Sequence, residues 1–328
     1  MNTLHIRHKF SDQGSYYPTR FFKTLAEVLQ NKYKNDYSFE TIINPEYENN
    51  GLGSVYSCLN FSIINPKNNK YILISFFDNW RYHFMKHMGW DPNKMVQFFY
   101  PAGFNYFEYF CFRNSQMGND DVFCPKNIDE AYQSFYYPTY RECDEDYLSQ
   151  LYAERNTQIA IKQLYFCGKI WDFRLEMTKH ISDQTIYVAN KDGIHFEYDD
   201  YLNTLIHYRC LLSLPGGTEI CNRDIECFSV GAPVIRPVLN IQYENPLIPN
   251  YHYISCYDSC KYFDGHPTYI SYKDFALSLE ATWNRVKDDI DYLNFIGNNA
   301  RQWYLQNCTM NNNVNYVLSK INMELLNG

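Results

Sequence analysis

The sequence of 328 residues lacks the marks of several specialised protein classes. None of its 11 cysteines forms a C-x-x-C pair, and a structural zinc site needs such close pairs, so we expect free thiols in a reducing compartment. Glycine and proline are sparse, at 14 and 13 residues, and nothing repeats on a regular period, which excludes collagen-like and low-complexity chains. The longest apolar run, residues 71–77, has the length of a strand and is far too short for a membrane span.

Clusters of basic residues are also missing. The 29 Lys and Arg residues are outnumbered by 37 Asp and Glu residues, which leaves a net charge of −8. This balance argues against a general nucleic-acid or anionic-membrane binder, so any anionic ligand must be held by a few well-placed cations. The first ten residues include Arg7, His8 and Lys9 but no apolar segment of the kind found in secretory signals. We therefore expect a cytoplasmic protein without a membrane span.

The composition that remains is that of a globular chain. Hydrophobic residues make up 45% and charged residues 20%, which is enough to bury a core. Aromatic residues reach 18%, with 32 Tyr and 23 Phe, and flat rings of this kind suit the apolar faces of sugars. The length is about twice that of a usual single domain, so two domains are expected.

The second half of the chain alternates between strands and helices. Such alternation, with short turns, predicts a parallel sheet covered on both faces. The predicted strands are residues 163–167, 185–190, 208–214 and 233–236, and the predicted helices are residues 171–180, 198–206, 218–230, 272–287 and 288–306.

The first half gives a weaker pattern. A helix is predicted over residues 19–33, and strands over residues 38–43, 57–64 and 70–77, of which the last two flank a turn-rich stretch. We place the domain boundary near residue 155. The expected organisation is an N-terminal Rossmann-like domain over residues 1–155, a C-terminal Rossmann-like domain over residues 156–310, and a last helix, from residue 311 on, that returns to the N-terminal domain.

The strongest local signal is a buried strand that ends in Pro215, Gly216 and Gly217 and opens into a helix. Glycines let backbone N–H groups approach an anion, and a helix N-terminus adds positive potential. Arg223 lies in the first turns of that helix, where its fork suits a phosphate. The other interpretation is a plain tight turn followed by a solvated arginine. Neither the P-loop nor the G-x-G-x-x-G pattern is present, which weighs against ATP hydrolysis and NAD chemistry.

Residues 222–237, with residues 247–253 after them, resemble the C-terminal domain of GT-B glycosyltransferases. The nearest match is the protein O-glucosyltransferase and capsule-associated xylosyltransferase family. Its pattern is an Arg that opens a helix, a small-residue turn, a buried strand and a Leu-x-Pro-x-x-His-Tyr element. Upstream, residues 166–174 resemble the Phe-x-Gly strand of that family with a following Arg. The resemblance covers about residues 160–310.

The resemblance implies an α/β GT-B fold, with two Rossmann-like domains that face each other across a cleft. It further implies an enzyme that moves a sugar from a nucleotide-sugar donor, expected to be UDP-linked, to a hydroxyl of a glycan or glycoprotein. Such an activity fits a viral or microbial glycan-building enzyme, with the nucleotide sugar as co-substrate and no further cofactor. The loop after Val188 would face the base, and these residues would bind the donor: Arg174, Gly216, Gly217, Thr218, Glu219, Asn222, Arg223 and Glu226.

Two residues of this region, Glu219 and His252, keep alternative interpretations. Glu226 is expected to bind the ribose hydroxyls. Glu219 lies seven positions earlier, and retaining GT-B enzymes use a pair of glutamates eight apart, so the spacing favours an inverting enzyme. Glu219 would equally well stabilise the helix N-terminus. His252 lies in the family-like element, where it either serves the site or braces a loop.

The expected chemistry is an inverting, metal-independent transfer. The Asp-x-Asp triplets that begin at Asp144 and Asp289 lie in helical or charged contexts, not at a strand end where a metal would be held. Asp78 follows a buried strand and is the candidate general base, although a turn cap is an equal interpretation. Asp12 and His83 are weaker candidates.

Two other functions remain as alternatives. A non-catalytic carbohydrate- or nucleotide-sugar-binding protein would retain the GT-B shell without turnover. A Rossmann-like methyltransferase ranks last. It needs a glycine-rich loop after the first strand, which is predicted over residues 4–8, and Gly14 is the only glycine in the loop over residues 9–17.

Overall fold

A computed structural model describes most of the chain. The described residues are 2–8, 17–42, 60–76, 94–100, 132–134, 136, 145–155, 161–168, 172–182, 184–189, 197–215, 220–239, 243–257, 261–263, 266–268 and 271–327. The chain divides into two compact units. The first comprises Met1–Tyr136 and Met310–Gly328, and the second comprises Tyr137–Thr309.

The first unit is built on a six-stranded sheet with the order β2-β1-β3-β4-β5-β6. Its elements, in chain order, are β1 (Asn2–His8), α1 (Tyr17–Tyr33), β2 (Tyr37–Ile42), β3 (Asn60–Ile64), β4 (Tyr71–Ser75), β5 (Met95–Tyr100) and β6 (Tyr132–Ser134).

Strand β3 runs antiparallel to both of its neighbours, whereas the other pairs in this sheet are parallel. The turn-rich stretch between β3 and β4 explains the direction of that pair, because six residues suffice for a hairpin but not for a parallel crossover. In this turn the Asn65 side chain accepts from the backbone N–H of Lys67 at 3.0 Å, and Asn69 adopts a φ of 58°. The first sheet is therefore mixed, unlike a purely parallel Rossmann sheet.

One face of the first sheet packs against α1 and the C-terminal helix. Helix α1 contributes Phe21, Phe22, Leu25 and Leu29, which are spaced so that they lie on one side of a helix.

The C-terminal helix of the chain lies in the first unit. After the second unit, the chain returns as a helix over Met310–Lys320 and a short 3-10 turn over Met323–Leu326. Its apolar side joins the core of the first sheet, and Asn65 donates to the carbonyl of Leu326 at 2.9 Å. The terminal segment is thus fastened to the hairpin as well as to the core.

The second unit is built on a five-stranded parallel sheet with the order β11-β10-β9-β7-β8. Parallel strands need crossover connections, and here helices supply most of them. The elements are α2 (Glu145–Arg155), β7 (Ile161–Phe166), α3 (Asp172–Thr178), β8 (Ile186–Val188), α4 (Tyr198–Leu205), β9 (Tyr208–Leu212), α5 (Asn222–Ser229), β10 (Val234–Pro237), β11 (Ile254–Tyr257), the hairpin β12 (Lys261–Phe263) and β13 (His266–Thr268), α6 (Tyr272–Val286) and α7 (Ile290–Asn307). The C-terminal helix of the first unit, Met310–Lys320, is labelled α8.

The structure confirms the predicted α/β class, with two units that each contain a sheet rich in parallel pairs. Every predicted strand and helix of the second half is present, with ends that differ by a few residues. Helix α5 begins at Asn222 and not at residue 218. Its start is determined by Asp224, whose carboxylate accepts from the backbone N–H of Cys221 at 2.8 Å.

The division between the units falls after Tyr136, not near residue 155. Helix α2 belongs to the second unit because its last side chain is embedded there. Arg155 donates to the carbonyls of Gly231 and Tyr208, both at 3.0 Å, and of Arg209 at 3.2 Å. No residue pattern near position 155 could show this, since the partners lie more than fifty positions away.

The turn after α5 packs closely against α7. Gly231 has a φ of +65°, a left-handed conformation that glycine adopts at the ends of helices. A Cβ on Gly297 would lie 2.1 Å from the carbonyl oxygen of Gly231, so only a glycine allows this approach. Arg301 of α7 donates to the carbonyl of Ser229 and completes the contact. Helix α5 is therefore held firmly at its C-terminal end.

No helix in the described part of the chain is both long enough and apolar enough to cross a membrane.

Candidate functional site

The candidate site lies at the carboxyl end of the second sheet, around the N-terminus of α5. In open α/β sheets, ligands gather at the carboxyl ends of strands. The start of α5 is fixed to the sheet, because the carboxylate of Asp224 forms an ion pair of 2.6 Å with Arg236 of β10. Both side chains of this pair are almost completely buried. The first turn of α5, which includes Arg223, is therefore held in place by a buried ion pair.

Arg223 occupies the second position of α5, and its guanidinium lies 4.7 Å from the centre of the Phe166 ring. Phe166 is the last residue of β7. A cation that lies over the face of an aromatic ring interacts favourably with it. The Nε and Nη1 atoms of Arg223 are shielded from solvent and have no hydrogen-bond partner in the structure's described residues. A guanidinium keeps its charge in proteins, so a positive charge with two shielded and unused donor atoms lies at this helix start.

Gly168 provides the space in which the arginine lies. A Cβ built on Gly168 would lie 1.9 Å from Nη2 of Arg223 and 2.8 Å from its Cζ. Any larger residue would therefore push the guanidinium away from the Phe166 ring. The Phe-x-Gly segment at the end of β7 is therefore explained by its contacts: the Phe166 ring packs against the guanidinium of Arg223, and Gly168 leaves space for it.

Arg174 of α3 contacts the same ring from further away, with its Cζ 5.8 Å from the centre of Phe166. Its guanidinium binds backbone: Nε donates to the carbonyl of Pro215 at 3.0 Å, and Nη2 donates to those of Leu214 at 3.0 Å and Pro215 at 2.7 Å. These carbonyls directly precede the predicted glycine turn. The structure thus shows Arg174 supporting the chain that leads into that turn.

Glu226 lies one helical turn after Arg223 and is buried. Its Oε1 accepts from the hydroxyl of Tyr198 at 2.8 Å, and its Oε2 accepts from the hydroxyl of Tyr201 at 3.0 Å. Both tyrosines belong to α4 and are spaced three residues apart, so they lie on one side of that helix. Burial and the neighbouring carboxylate raise the pKa of Tyr201 well above its usual value, so this phenol remains a donor.

The predicted donor-binding residues divide into two groups. Arg174, Arg223 and Glu226 lie in one region at the end of the sheet, as described above, and Asn222 is the first residue of α5. Gly216, Gly217, Thr218, Glu219, Asp78, Asp12 and His83 lie outside the described residues.

Sequence reasoning missed several participants in this site. Phe166 and Gly168 had been recognised only as part of a family pattern, although a glycine directly after a buried strand is a usable signal. Tyr198 and Tyr201 had been assigned no role, and no local pattern distinguishes them among 32 tyrosines. The pairing of Asp224 with Arg236 depends on the β9–α5–β10 crossover and has no local signal.

His252 and Tyr253 brace the connection between β10 and β11. The Nδ1 atom of His252 accepts from the backbone N–H of Ile248 at 2.9 Å, and burial lowers the pKa of this histidine to about 4. The hydroxyl of Tyr253 accepts from the backbone N–H of Leu239 at 3.0 Å. These contacts favour the loop-bracing interpretation of His252.

The described cysteines are free thiols, and burial raises the pKa of Cys210, for example, to about 12. Among the residues that the structure describes, no group of three or more His, Cys, Asp or Glu side chains is arranged to hold a metal ion.

No protein-family model and no curated protein matches the sequence. Among solved structures, HepE from Anabaena in complex with UDP and glucose shares 10% identity at a TM-score of 0.45, with 91% of this chain and 82% of that chain covered. In its UDP-glucose complex, HepE gives a TM-score of 0.41, and the match spans 70% of this chain and 65% of that chain.

A glycosyltransferase from Rickettsia africae matches at 10% identity and a TM-score of 0.45, covering 91% of this chain and 80% of that chain. The pneumococcal O-GlcNAc transferase GtfA, in complex with UDP and GlcNAc, matches at 11% identity and a TM-score of 0.40, over 75% of this chain and 48% of its own. The structural neighbours are thus glycosyltransferases, but likenesses at this level do not assign an activity.

Proposed function

We propose that the protein is a glycosyltransferase that uses a nucleotide-sugar donor, and that the donor diphosphate binds at the N-terminus of α5. The observation that carries this proposal is Arg223. Its Nε and Nη1 atoms are shielded from solvent and have no hydrogen-bond partner among the described residues, and the carboxylate of the adjacent Asp224 forms its ion pair with Arg236. Shielded guanidinium donors that make no hydrogen bond cost free energy unless a ligand supplies acceptor atoms. A diphosphate supplies it, together with acceptor oxygens in the geometry that a guanidinium fork prefers.

The surrounding residues support a nucleotide in the same place. Arg174 positions the chain that leads into Gly216 and Gly217, whose backbone N–H groups are proposed to contact the diphosphate with Thr218, Glu219 and Asn222. Glu226 is held in position by Tyr198 and Tyr201, and a carboxylate accepts hydrogen bonds of the kind that sugar hydroxyls donate. We assign it to the two hydroxyls of the ribose. The helix dipole of α5 and Arg223 then stabilise the charge that develops on the leaving diphosphate.

The transfer itself is proposed to be inverting and metal-independent. A carboxylate, assigned to Asp78, takes the proton of an acceptor hydroxyl of a glycan, whose oxygen forms a bond to the anomeric carbon. The bond from that carbon to the diphosphate oxygen breaks, and its electron pair leaves with the nucleoside diphosphate. The nucleotide is proposed to be UDP, and the protein is proposed to act in the cytoplasm.

Nucleotide binding tests the first part of the proposal. Thermal shift and calorimetry with UDP, GDP and dTDP should identify one that raises the unfolding temperature, since a ligand stabilises the state that it binds. Arg223→Ala should weaken that binding by about 1.5–3 kcal/mol, the usual worth of a hydrogen bond to a charged group. Arg209→Ala is a matched control on the same unit, because Arg209 donates to the carbonyl of Lys287. Equal nucleotide affinity in wild type and Arg223→Ala would move the donor site elsewhere.

Turnover tests the second part. Asp78→Asn should bind the donor normally and lose transfer to an acceptor, and EDTA should leave wild-type activity unchanged. Loss of activity with EDTA would contradict the metal-independent transfer. If wild type binds the donor but transfers sugar to no glycan acceptor in a screen, the alternative of a non-catalytic nucleotide-sugar-binding protein is favoured.

A further inference from the structure

Two aromatic side chains of the second unit lie side by side at the surface. Tyr251 belongs to the turn before β11, and Phe295 belongs to the second turn of α7. Their ring centres are 5.5 Å apart, with an angle of 81° between the rings. Tyr251 is 43% exposed and Phe295 is 46% exposed, and Ile248, in the same turn as Tyr251, is 48% exposed. These three residues form the aromatic patch, and a contiguous exposed patch of large apolar side chains is a mark of a binding surface.

The turn that carries Tyr251 is fixed by its own hydrogen bonds. The carbonyl of Ile248 accepts from the backbone N–H groups of Tyr251 at 3.2 Å and of His252 at 2.9 Å. Asn250 has a left-handed φ of 58°, and its side-chain oxygen accepts from the backbone N–H of Ser255 at 3.3 Å. The exposed side chains are therefore presented on a rigid backbone, which lowers the entropy lost when a ligand binds.

Amide side chains surround Phe295 on α7. Asn298 lies three positions after it and Gln302 seven positions after it, so both share its side of the helix, and Asn294 directly precedes it. All three amide residues are exposed. The side-chain oxygen of Asn298 accepts from the hydroxyl of Tyr152 at 2.9 Å, so its amide nitrogen supplies the donors. Amides donate and accept hydrogen bonds, as the hydroxyls of a sugar require.

The charges near the aromatic patch argue against an anionic ligand. Residues 243–257 and 290–307, which carry the patch, contain a single cation, Arg301. This arginine is 3% exposed and donates to the carbonyl of Ser229. The other charged residues of the two segments are Glu244 and Asp291, which are exposed and acidic. A nucleic acid or an acidic glycan finds no exposed cation on these segments, whereas a neutral ligand is not repelled.

The size of the aromatic patch favours a small ligand over a folded protein. A buried aromatic side chain covers roughly 150–250 Å², so three large side chains that are about half exposed offer roughly 300 Å². A stable protein interface buries about 800 Å² on each partner. The face of a sugar ring that carries C–H groups is apolar and packs flat against an aromatic ring. Exposed rings beside neutral amides therefore match a neutral glycan in both area and chemistry.

The aromatic patch lies away from the proposed donor site. Gly297, two residues after Phe295, packs against Gly231 in the turn that follows α5. Arg223 lies at the opposite, N-terminal end of α5, and a helix of eight residues is about 12 Å long. A ligand on the patch therefore leaves the donor site free.

We propose that the aromatic patch is a binding surface for a neutral glycan chain, separate from the donor site. The C–H face of a sugar ring packs on Tyr251 and Phe295, and the amides of Asn298 and Gln302 bind its hydroxyls. Glycan binding itself does not depend on the donor site, whereas the role of this surface in holding an acceptor chain rests on the proposed glycosyl transfer.

Calorimetry on the full chain with neutral oligosaccharides tests the proposal. The probes are maltohexaose, cellohexaose, chitohexaose and mannohexaose, which differ in linkage and ring substituents. We expect at least one of them to bind saturably. Hexagalacturonate is an anionic chain of the same length, and it should bind at least about tenfold more weakly than that oligosaccharide, because the exposed charges of the two segments are acidic.

Variants connect this binding to the aromatic patch. Tyr251→Ala and Phe295→Ala should each weaken the bound oligosaccharide about tenfold, a usual loss when a central aromatic contact is truncated. Tyr251→Phe retains the ring and should retain the affinity. Tyr187→Ala is the matched control, since Tyr187 is a 46% exposed tyrosine on β8 of the same unit, and it should leave oligosaccharide binding unchanged. The affinity for UDP should be the same in all these variants.

Three results would overturn the glycan surface. The first is that none of the four neutral oligosaccharides binds wild-type protein. The second is that a bound oligosaccharide keeps its affinity in both alanine variants of the patch. The third is that light scattering shows a wild-type dimer that Tyr251→Ala converts to a monomer, which would assign the patch to a contact between copies of the chain. Retained UDP binding would in each case leave the donor site intact, whereas wild-type protein that binds the oligosaccharide but no UDP would contradict the donor site alone.

Discussion

Gly168 offers a sharp test of the donor site, because a single methyl group there acts on Arg223. In Gly168→Ala the new Cβ would lie 1.9 Å from Nη2 of Arg223, far inside contact distance. The obstructing atom is the far end of a flexible side chain, so the guanidinium moves away and the backbone remains. Arg223 then leaves its position over Phe166, which is 4.7 Å from its Cζ in the native structure.

The expected loss appears in binding more than in stability. Displacing the guanidinium removes its charged hydrogen bonds to a diphosphate, worth about 1.5–3 kcal/mol. The dissociation constant for UDP should therefore rise roughly ten- to a hundredfold. The stability of the free protein should fall by about 1 kcal/mol at most, the usual size of a lost cation–π contact at a partly exposed site.

Gly297→Ala is the matched control. Its Cβ would lie at a similar distance, 2.1 Å, but from the backbone carbonyl of Gly231, which belongs to a buried turn and cannot swing aside. Overpacking of this kind costs about 1–3 kcal/mol. The unfolding temperature should fall by roughly 2–4 °C per kcal/mol for a unit of this size, while UDP affinity stays near the wild-type value.

Calorimetric titration with UDP and thermal unfolding, run on both alanine variants, separate the two effects. The reasoning is refuted if Gly168→Ala binds UDP like wild type, since the arginine would then not be needed where the structure places it. It is also refuted if the two glycine variants lose stability to the same extent, because the nature of the obstructing atom would then not matter.

Three further predictions concern the supports of the site. Tyr201→Phe removes the hydroxyl that donates to Oε2 of Glu226. The free energy of unfolding in urea should fall by about 1–3 kcal/mol, and the affinity for UDP should decrease. If neither quantity changes, Tyr201 does not position Glu226. Asp224→Ala strands the buried charge of Arg236 and should cost about 3–5 kcal/mol, a loss that a further Arg236→Met change should partly restore. His252 is neutral in the fold, with a pKa of about 4, against about 6.5 when unfolded. Since the unfolded state binds more protons between these values, stability should be complete above about pH 6.5 and fall towards pH 4, and His252→Gln should flatten that fall in thermal unfolding measured against pH.

Local sequence was sufficient for the elements of the second unit. Strand–helix alternation predicted β7 to β10 and the helices between them, because a parallel sheet requires a crossover after each strand and leaves that regular trace. The arginine at the start of α5 was visible because it lies near a helix start that follows a strand, whereas the role of the glycine after β7 was not, because it depends on the position of that arginine. The start of that helix was predicted at residue 218, four residues before its first residue in the structure, Asn222, because the contact between Asp224 and Cys221 that sets the start is not visible in the sequence pattern.

Only the tertiary structure decided which side chains meet. The carboxylate of Glu226 is held by hydroxyls more than twenty positions away, Arg155 closes the second unit through contacts more than fifty positions away, and Tyr251 meets Phe295 more than forty positions away. Such partners are set by how strands align and helices pack, and a shift of one residue in register would exchange the two faces of a strand. Sequence pattern determines which element a residue belongs to and which residues share its face, whereas the neighbours across elements depend on the folded arrangement of the whole unit.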